Sequence, residues 1–446
     1  MPEAPAHSAE YRRRRFMNWF PLGLTYATFY MGRYNLNVAS TSMMHMFNLD
    51  KAHFGIIATA GFWTYALSVI FTGPLADRIG GKKAILIGAV GAAVLNLVIG
   101  LLFMGGWQTK LIVGMSLLYA ANQYFQSFGA LSIVKVNAPW FHVRERGIFG
   151  GVFGIMISCG YFLAMTVGGW ILAYFPWYYV FLIPSAAIFL MFLVDIFLVK
   201  DMPSQAGFKD FNTGDASSHE TGVREPLKFR ELMRRVFTNP VIITLIFAEF
   251  CTGFVRQGLM LWFVPFLGEV HKIGYGSALF TIATSGTTVG GIAGGLLCGY
   301  LSDKWFQSRR APVAFIFYLG QIVALFILGQ THSPTVAAYM IGFSCMWIFG
   351  VHGMLSGTAS MDFGGTRAAS TVAGLLDGVQ YLASGLTGFL MGHFLDKWGW
   401  ASWTWMIMPF SLMGALLMTR LWNETPLKKK PEEGPEEHRP LVEAEA

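Results

Sequence analysis

Two arginines lie inside long uncharged stretches of this chain. Arg33 sits in "TFYMGRYNLNV", residues 28–38, and Arg256 sits in "FVRQGLMLWFVPFL", residues 254–267. The fork of a guanidinium matches the oxygens of a phosphate in a bidentate way, and it stays charged when dehydrated. If the fold brings the two arginines together, they could bind a dianion.

Each arginine could instead form a permanent ion pair that only fixes helix packing. Glu249 precedes Arg256 by seven residues, two helical turns away on roughly the same face, whereas no acid lies in the uncharged stretch around Arg33. Glu249 and Asp377 could also titrate and act in proton coupling. A charge at bilayer depth costs about 2.5–3.5 kcal/mol on insertion scales, so it persists where it faces a cavity or a partner.

The composition is that of a membrane protein. Of 446 residues, 54% are hydrophobic and 13% are charged, against roughly 25% charged in soluble domains. Uncharged stretches such as 84–109, 147–194 and 311–361 are long enough to cross the bilayer once or twice. We therefore expect an all-α membrane protein. No metal-spaced cluster, nucleophile elbow or phosphate-binding loop for ATP is present, so we expect no enzyme, cofactor or metal.

Charges, prolines and glycine clusters divide the chain into twelve candidate spans. Lys and Arg concentrate at the N-terminus and in alternate loops, which predicts cytoplasmic termini. For a bacterial protein we expect the inner (plasma) membrane. The net charge of +7 is scattered over these loops, which argues against a nucleic-acid partner. We expect a monomer in the lipid bilayer. The spans lie near 16–41, 54–77, 84–105, 110–134, 147–172, 177–199, 241–268, 276–302, 311–330, 335–357, 367–394 and 400–421.

The spans form two halves that repeat. "GPLADRIGGKKA" at 73–84 recurs as "GYLSDKWFQSRRA" at 299–311, with Asp77 and Asp303 at matching places. We expect a coupling or gating role for Asp77, Arg78 and Asp303. We expect the substrate to bind between the two halves, near the bilayer midplane. The expected units are a cytoplasmic N-terminus at 1–15, six-helix bundles at 16–199 and 240–422, a cytoplasmic linker at 200–239, and a disordered cytoplasmic tail at 423–446.

The repeated motif resembles the signature loop of the major facilitator superfamily. "FYMGRYNLNVA", "FVRQGLMLWFVPFL" and "TVAGLLDGVQYLASGL" resemble helices one, seven and eleven of its organophosphate:phosphate antiporters. The resemblance implies the twelve-helix fold in two pseudo-symmetric bundles, phosphate binding by Arg33 and Arg256, and exchange for inorganic phosphate. The sequence departs from the glycerol-phosphate members at Val69 and Ile157, where they carry Lys and His.

Several polar or aromatic residues are candidates for contacts with the rest of the substrate, although each could be an ordinary helix contact. They are Tyr30, Tyr34, Tyr65, Gln126, Trp262, His352 and Tyr381. Three functions remain open: an exchanger of a phosphorylated metabolite for phosphate, a proton-coupled symporter of a sugar acid or carboxylate, and a transporter-like receptor that senses a sugar phosphate.

Overall fold

A computed structural model describes residues 7–142, 145–213, 238–307 and 309–424, with side chains described except at 146–153 and 357–373. Most of the expected tail and the second part of the linker, up to residue 237, lie outside these residues. The regular structure in the described part is helical. This agrees with the predicted all-α class.

Within the described residues the first half contains ten α-helices, and some neighbouring helices are segments of the same broken span. A π-helical turn, Phe162–Val167, joins α8 to α9. The helices are α1 (Ala9–Arg33), α2 (Asn35–Val38), α3 (Ser40–Met46), α4 (Lys51–Ile79), α5 (Gly81–Met104), α6 (Leu111–Gln126), α7 (Phe128–Asn137), α8 (Arg146–Tyr161), α9 (Gly168–Tyr174) and α10 (Tyr179–Leu198).

The second half contains six α-helices within the described residues. Another π-helical turn, Gly353–Ala359, follows α14, and a 3-10 turn, Trp400–Ser402, precedes α16. The helices are α11 (Pro240–Glu269), α12 (Ala278–Trp305), α13 (Arg310–Gln330), α14 (Pro334–His352), α15 (Ser360–Trp398) and α16 (Trp403–Arg420).

Nine helical stretches among the described residues are long and apolar enough to cross a membrane. The expected spans at 16–41 and 110–134 are instead broken helices. The first is interrupted at Tyr34 and Ala39, and the other at Ser127. The expected span at 367–394 lies inside α15, which also carries Asp377 and Asp396.

The termini of the helices define two ends of the molecule. We call the end near Arg12–Arg15, Ile79 and Trp305 the basic end, and the end near Met46, Lys51 and Glu269 the far end. At the basic end, Arg15 Nη1 lies 2.9 Å from Glu145 Oε2. Burial raises the pKa of Glu145, but the His142 N–H and the Arg15 guanidinium together lower it below its usual value.

The two halves meet at the far end. Lys51 Nζ lies 3.0 Å from Glu269 Oε2, and Thr59 Oγ1 donates to the Gly385 carbonyl at 2.6 Å. A Cβ at Gly55 would collide with the Gly388 carbonyl, so only glycine permits this approach of α4 to α15. Within the described residues, the polar contacts between the halves lie at the level of Arg33 or on its far side, which leaves the halves joined at the far end.

Candidate functional site

Arg33 is the last residue of α1, and its side chain is 1% exposed. Its guanidinium carbon lies 5.7, 5.0 and 4.7 Å from the ring centroids of Tyr26, Tyr30 and Tyr65. Nη2 donates to the Gln126 carbonyl at 3.2 Å, and Nε has no hydrogen-bond partner within the described residues. Three aromatic faces and the Gln126 carbonyl therefore compensate this buried charge in part.

Arg256 occupies the middle of α11 and is 2% exposed. Its Nη2 donates to Gln380 Oε1 at 2.9 Å, and its Nη1 donates to Tyr161 Oη at 3.4 Å. The Nε atom again has no partner in the described part of the chain. The guanidinium carbon lies 5.3 Å from the centroid of the Tyr381 ring.

Tyr381 contacts both arginines. Arg33 Nη1 donates to its hydroxyl at 3.4 Å, while Arg256 lies over its ring. The same ring packs at 4.1 Å, between centroids, against Tyr65 of the first half. One residue of α15 therefore connects the two cations, one from each half.

A second link between the arginines runs from Arg256 through Tyr161 to Tyr30, whose ring lies next to the guanidinium of Arg33. Tyr161 Oη donates to Tyr34 Oη at 3.4 Å and accepts from Arg256. The Tyr161 ring also packs edge-on against Tyr30, at 4.9 Å between centroids. The expected residues Tyr30, Tyr34, Tyr65, Gln126 and Tyr381 are thus brought together around the arginine pair.

The carboxylates near the pair do not bind it directly. Gln380 Nε2 donates to Glu249 Oε2 at 3.0 Å and lies 2.6 Å from His352 Nδ1. Asp377 precedes Tyr381 by one turn on the same face of α15 and interacts electrostatically with both arginines. Among the described residues no acid comes within ion-pair distance of Arg33 or Arg256. The two charges are therefore available to an anionic ligand.

Trp262, another expected site residue, lies away from this cluster. Trp262 donates to the Thr387 carbonyl at 3.0 Å and packs on Phe54, toward the far end. It lies six positions after Arg256 on α11, or about 9 Å along the helix axis.

The charges of the repeated motif lie at the basic end. Asp77 pairs with Lys135 at 2.8 Å, and Asp303 pairs with Arg310 at 2.9 Å. Arg78 is exposed beside the first of these pairs. A role of these residues in gating remains a prediction.

Sequence reasoning missed Tyr161 and Gln380 as site residues. Tyr161 is one of two hydroxyl-bearing residues in the largely apolar run "ISCGYFLAM", and Gln380 directly precedes Tyr381. Either could have been proposed as a polar residue on a membrane helix, but neither carries a charge that would have made it costly and therefore informative.

The chain has relatives along nearly its whole length. A probable hexose phosphate transport protein of Chlamydia trachomatis is 25% identical, with 93% of this chain and 92% of that protein covered. A glycerol-3-phosphate transporter of Bacillus subtilis is 27% identical (93% and 94%), and the membrane sensor protein UhpC of Escherichia coli is 26% identical (94% and 94%).

Solved transporter structures share the fold. A bacterial homologue of the human lysosomal transporter Spinster superposes with a TM-score of 0.71 at 18% identity, covering 93% of this chain and 98% of that one. The nucleoside transporter NupG gives a TM-score of 0.66 at 15% identity, covering 92% and 99%. The family model of the Major Facilitator Superfamily matches residues 22–388. The chain is therefore a multi-pass integral membrane protein that belongs to the Major Facilitator Superfamily.

Proposed function

We propose that this protein is a secondary transporter that exchanges a small phosphorylated metabolite for inorganic phosphate, with Arg33 and Arg256 as the phosphate ligands. The observation that carries the proposal is the pair of buried guanidiniums, one from each half, both contacting Tyr381. Each has an Nε atom without a partner in the described residues, so each retains hydrogen-bonding capacity for a ligand.

Charge favours a dianion at this site. Neither cation has an ion-paired acid in the part of the chain that the structure describes. Both lose much of their hydration on burial, and an anion between them recovers part of that electrostatic cost. Phosphate oxygens can accept from both forks, because each guanidinium presents parallel N–H donors.

Exchange follows from the same charges. The site must open alternately to the two sides of the membrane. If the empty, doubly positive site resists this change of conformation, a ligand that neutralises the arginines permits the change, because a ligand shifts a conformational equilibrium by its differential affinity for the two states. The same site then carries phosphate in one direction and a phosphate ester in the other. The names of the Chlamydia trachomatis and Bacillus subtilis relatives support phosphorylated metabolites as the class of substrate.

The test is phosphate self-exchange in proteoliposomes. Vesicles loaded with unlabelled phosphate should take up radiolabelled phosphate without a proton gradient, and external phosphate esters should compete. Liposomes without protein and proteoliposomes loaded with sulfate instead of phosphate are the controls. Loss of uptake on adding a protonophore would contradict exchange.

A second candidate is proton-coupled symport of a sugar acid or carboxylate, and the placement of Glu249 favours it. This carboxyl group is 0% exposed, and its Oε1 has no partner within the described residues. Under symport, Glu249→Gln should abolish accumulation, whereas under exchange it should leave phosphate self-exchange active.

A third candidate is a sensor, because the Escherichia coli relative is named a membrane sensor protein. A sensor would bind phosphate esters without flux. Binding of phosphate to purified protein together with the absence of self-exchange in the same preparation would favour it over transport.

A further inference from the structure

The helix break after Arg33 leaves backbone carbonyls that are bonded from outside the helix. Tyr34 has φ −103° and ψ 6°, and α1 does not continue into α2. The last carbonyls of a helix lack partners within it, and a buried carbonyl without a hydrogen bond is costly. Neighbouring helices must therefore supply donors.

Two asparagines supply them to the Gly32 carbonyl. Asn122 Nδ2 of α6 donates to it at 2.9 Å. Asn96 Nδ2 of α5 makes a longer contact with it at 3.4 Å, in addition to its hydrogen bond to the Ala92 carbonyl of its own helix at 2.9 Å. Asn96 Nδ2 also donates to Asn122 Oδ1 at 3.1 Å, while its own Oδ1 accepts from Asn35 Nδ2 at 2.6 Å. The three asparagines are at most 1% exposed.

Helix α6 also binds Arg33 itself at both ends. The backbone carbonyl of Arg33 accepts from Tyr119 Oη at 2.9 Å and from Gln123 Nε2 at 3.4 Å. The guanidinium of Arg33 donates to the Gln126 carbonyl. Positions 119, 122, 123 and 126 share one face of α6. This face therefore fixes where the backbone of Arg33 ends and where its side chain points.

We propose that Asn122 and Tyr119 are positioning residues for Arg33: they hold the broken end of α1 so that its guanidinium faces the space between the halves. The proposal rests on phosphate as the ligand of Arg33, as proposed above. It assigns the buried amide and hydroxyl of α6 to ligand affinity rather than to packing alone.

The chain offers a matched control for general packing. Asn137 of α7 is also a buried amide, 3% exposed, and its Nδ2 donates to the Ile133 carbonyl of its own helix at 2.9 Å. Removing that amide alters a similar buried group away from the end of α1.

The experiment is a thermal-shift titration of purified full-length protein with inorganic phosphate, which gives both the ligand-free Tm and the apparent Kd. Asn122→Leu should raise the Kd about tenfold, because one charge-positioning hydrogen bond is lost. Asn137→Leu should leave the Kd within about threefold of the wild-type value, although its ligand-free Tm should be similar to that of Asn122→Leu. If Asn122→Leu does not fold, Tyr119→Phe removes only a hydroxyl and should raise the Kd in the same direction.

A double-mutant cycle separates positioning from packing. In an Arg33→Lys background, Asn122→Leu should change the Kd less than about twofold, because residues that act through a shared partner are not additive. An equal tenfold change in both backgrounds, or an unchanged Kd in the single variants, would overturn the proposal. If wild-type protein does not bind phosphate, the proposed function itself is contradicted. If wild-type protein binds phosphate but the variants do not behave as expected, only the positioning proposal fails.

Discussion

Glu249 and Arg256 lie two turns apart on α11, and Gln380 separates their charges instead of a direct ion pair joining them. Gln380 Oε1 accepts from Arg256 at 2.9 Å, and its Nε2 donates to Glu249 at 3.0 Å. The amide makes one hydrogen bond to each group without neutralising the arginine. The interpretation of Arg256 as one member of a permanent ion pair therefore finds no support among the described residues.

The first prediction concerns the two arginines. Arg33→Lys and Arg256→Lys should each lower phosphate self-exchange by more than about tenfold without loss of expression, because lysine keeps the charge but loses the fork. The measurement is radiolabelled phosphate uptake into phosphate-loaded proteoliposomes. Arg12→Lys, at an exposed position of the basic end, is the control and should transport normally. Normal rate and affinity in Arg33→Lys would contradict its assignment as a ligand.

The second prediction concerns the amide that links Arg256 to Glu249. Gln380→Leu should weaken phosphate binding about tenfold, because Arg256 loses an acceptor that orients it and Glu249 loses its donor. The Kd of phosphate for purified protein measures this. Gln321→Leu is the matched control, since Gln321 is a fully buried amide that accepts from Ser411 at 2.9 Å. Equal losses in both variants would indicate a general effect of removing a buried amide.

The sequence predicts the charged part of the site better than the rest. A charge within an apolar span is rare and costly, so Arg33 and Arg256 stand out from their neighbours. Tyr30, Tyr34, Tyr65 and Tyr381 were also expected, and the structure places them at the pair. Tyrosines and amides are common in ordinary helix contacts, however, so the same criterion selects Trp262 as well, which lies toward the far end.

The helix breaks could not be read from the sequence. The segment "GRYNLNV" contains no proline, and its interruption at Tyr34 depends on donors from α5 and α6 that are about 60 and 90 residues away in the chain. Local propensity carries no information about such tertiary partners. The repeated motif around Asp77 and Asp303, by contrast, can be read from the sequence alone, because its glycine, aspartate and cations stand in the same order in both copies.

The third prediction separates the ring of Tyr381 from its hydroxyl. Tyr381→Phe should change the Kd of phosphate by less than about threefold, because its hydroxyl accepts from Arg33 over a long 3.4 Å while the ring stays over Arg256. Tyr381→Ala removes both contacts and the packing on Tyr65, and it should weaken binding by about tenfold or more. Titration of the two purified variants with phosphate tests the difference. A phenylalanine variant as weak as the alanine variant would assign the role to the hydroxyl.

The fourth prediction concerns the closed far end. The carboxylate of Asp396 on α15 accepts from the backbone N–H groups of Lys51 and Ala52, at 3.1 and 2.8 Å, and so caps α4 across the interface between the halves. Negative charge at a helix N-terminus is stabilising, and this charge acts only while the far end is closed. Asp396→Asn should therefore favour opening there.

Labelling from the far side measures this opening. A cysteine introduced at Thr41, which faces Gly268 of the other half, should react several-fold faster with a membrane-impermeant maleimide when Asp396→Asn is present. The four native cysteines are replaced beforehand. Asp50→Asn is the matched control, because Asp50 caps the same helix from its own half, accepting from the His53 N–H at 2.7 Å. The charge of Asp50 acts on α4 whether the halves are joined or apart, so its removal should not change the labelling rate. An equal acceleration in both variants would attribute the effect to fraying of α4 instead of opening.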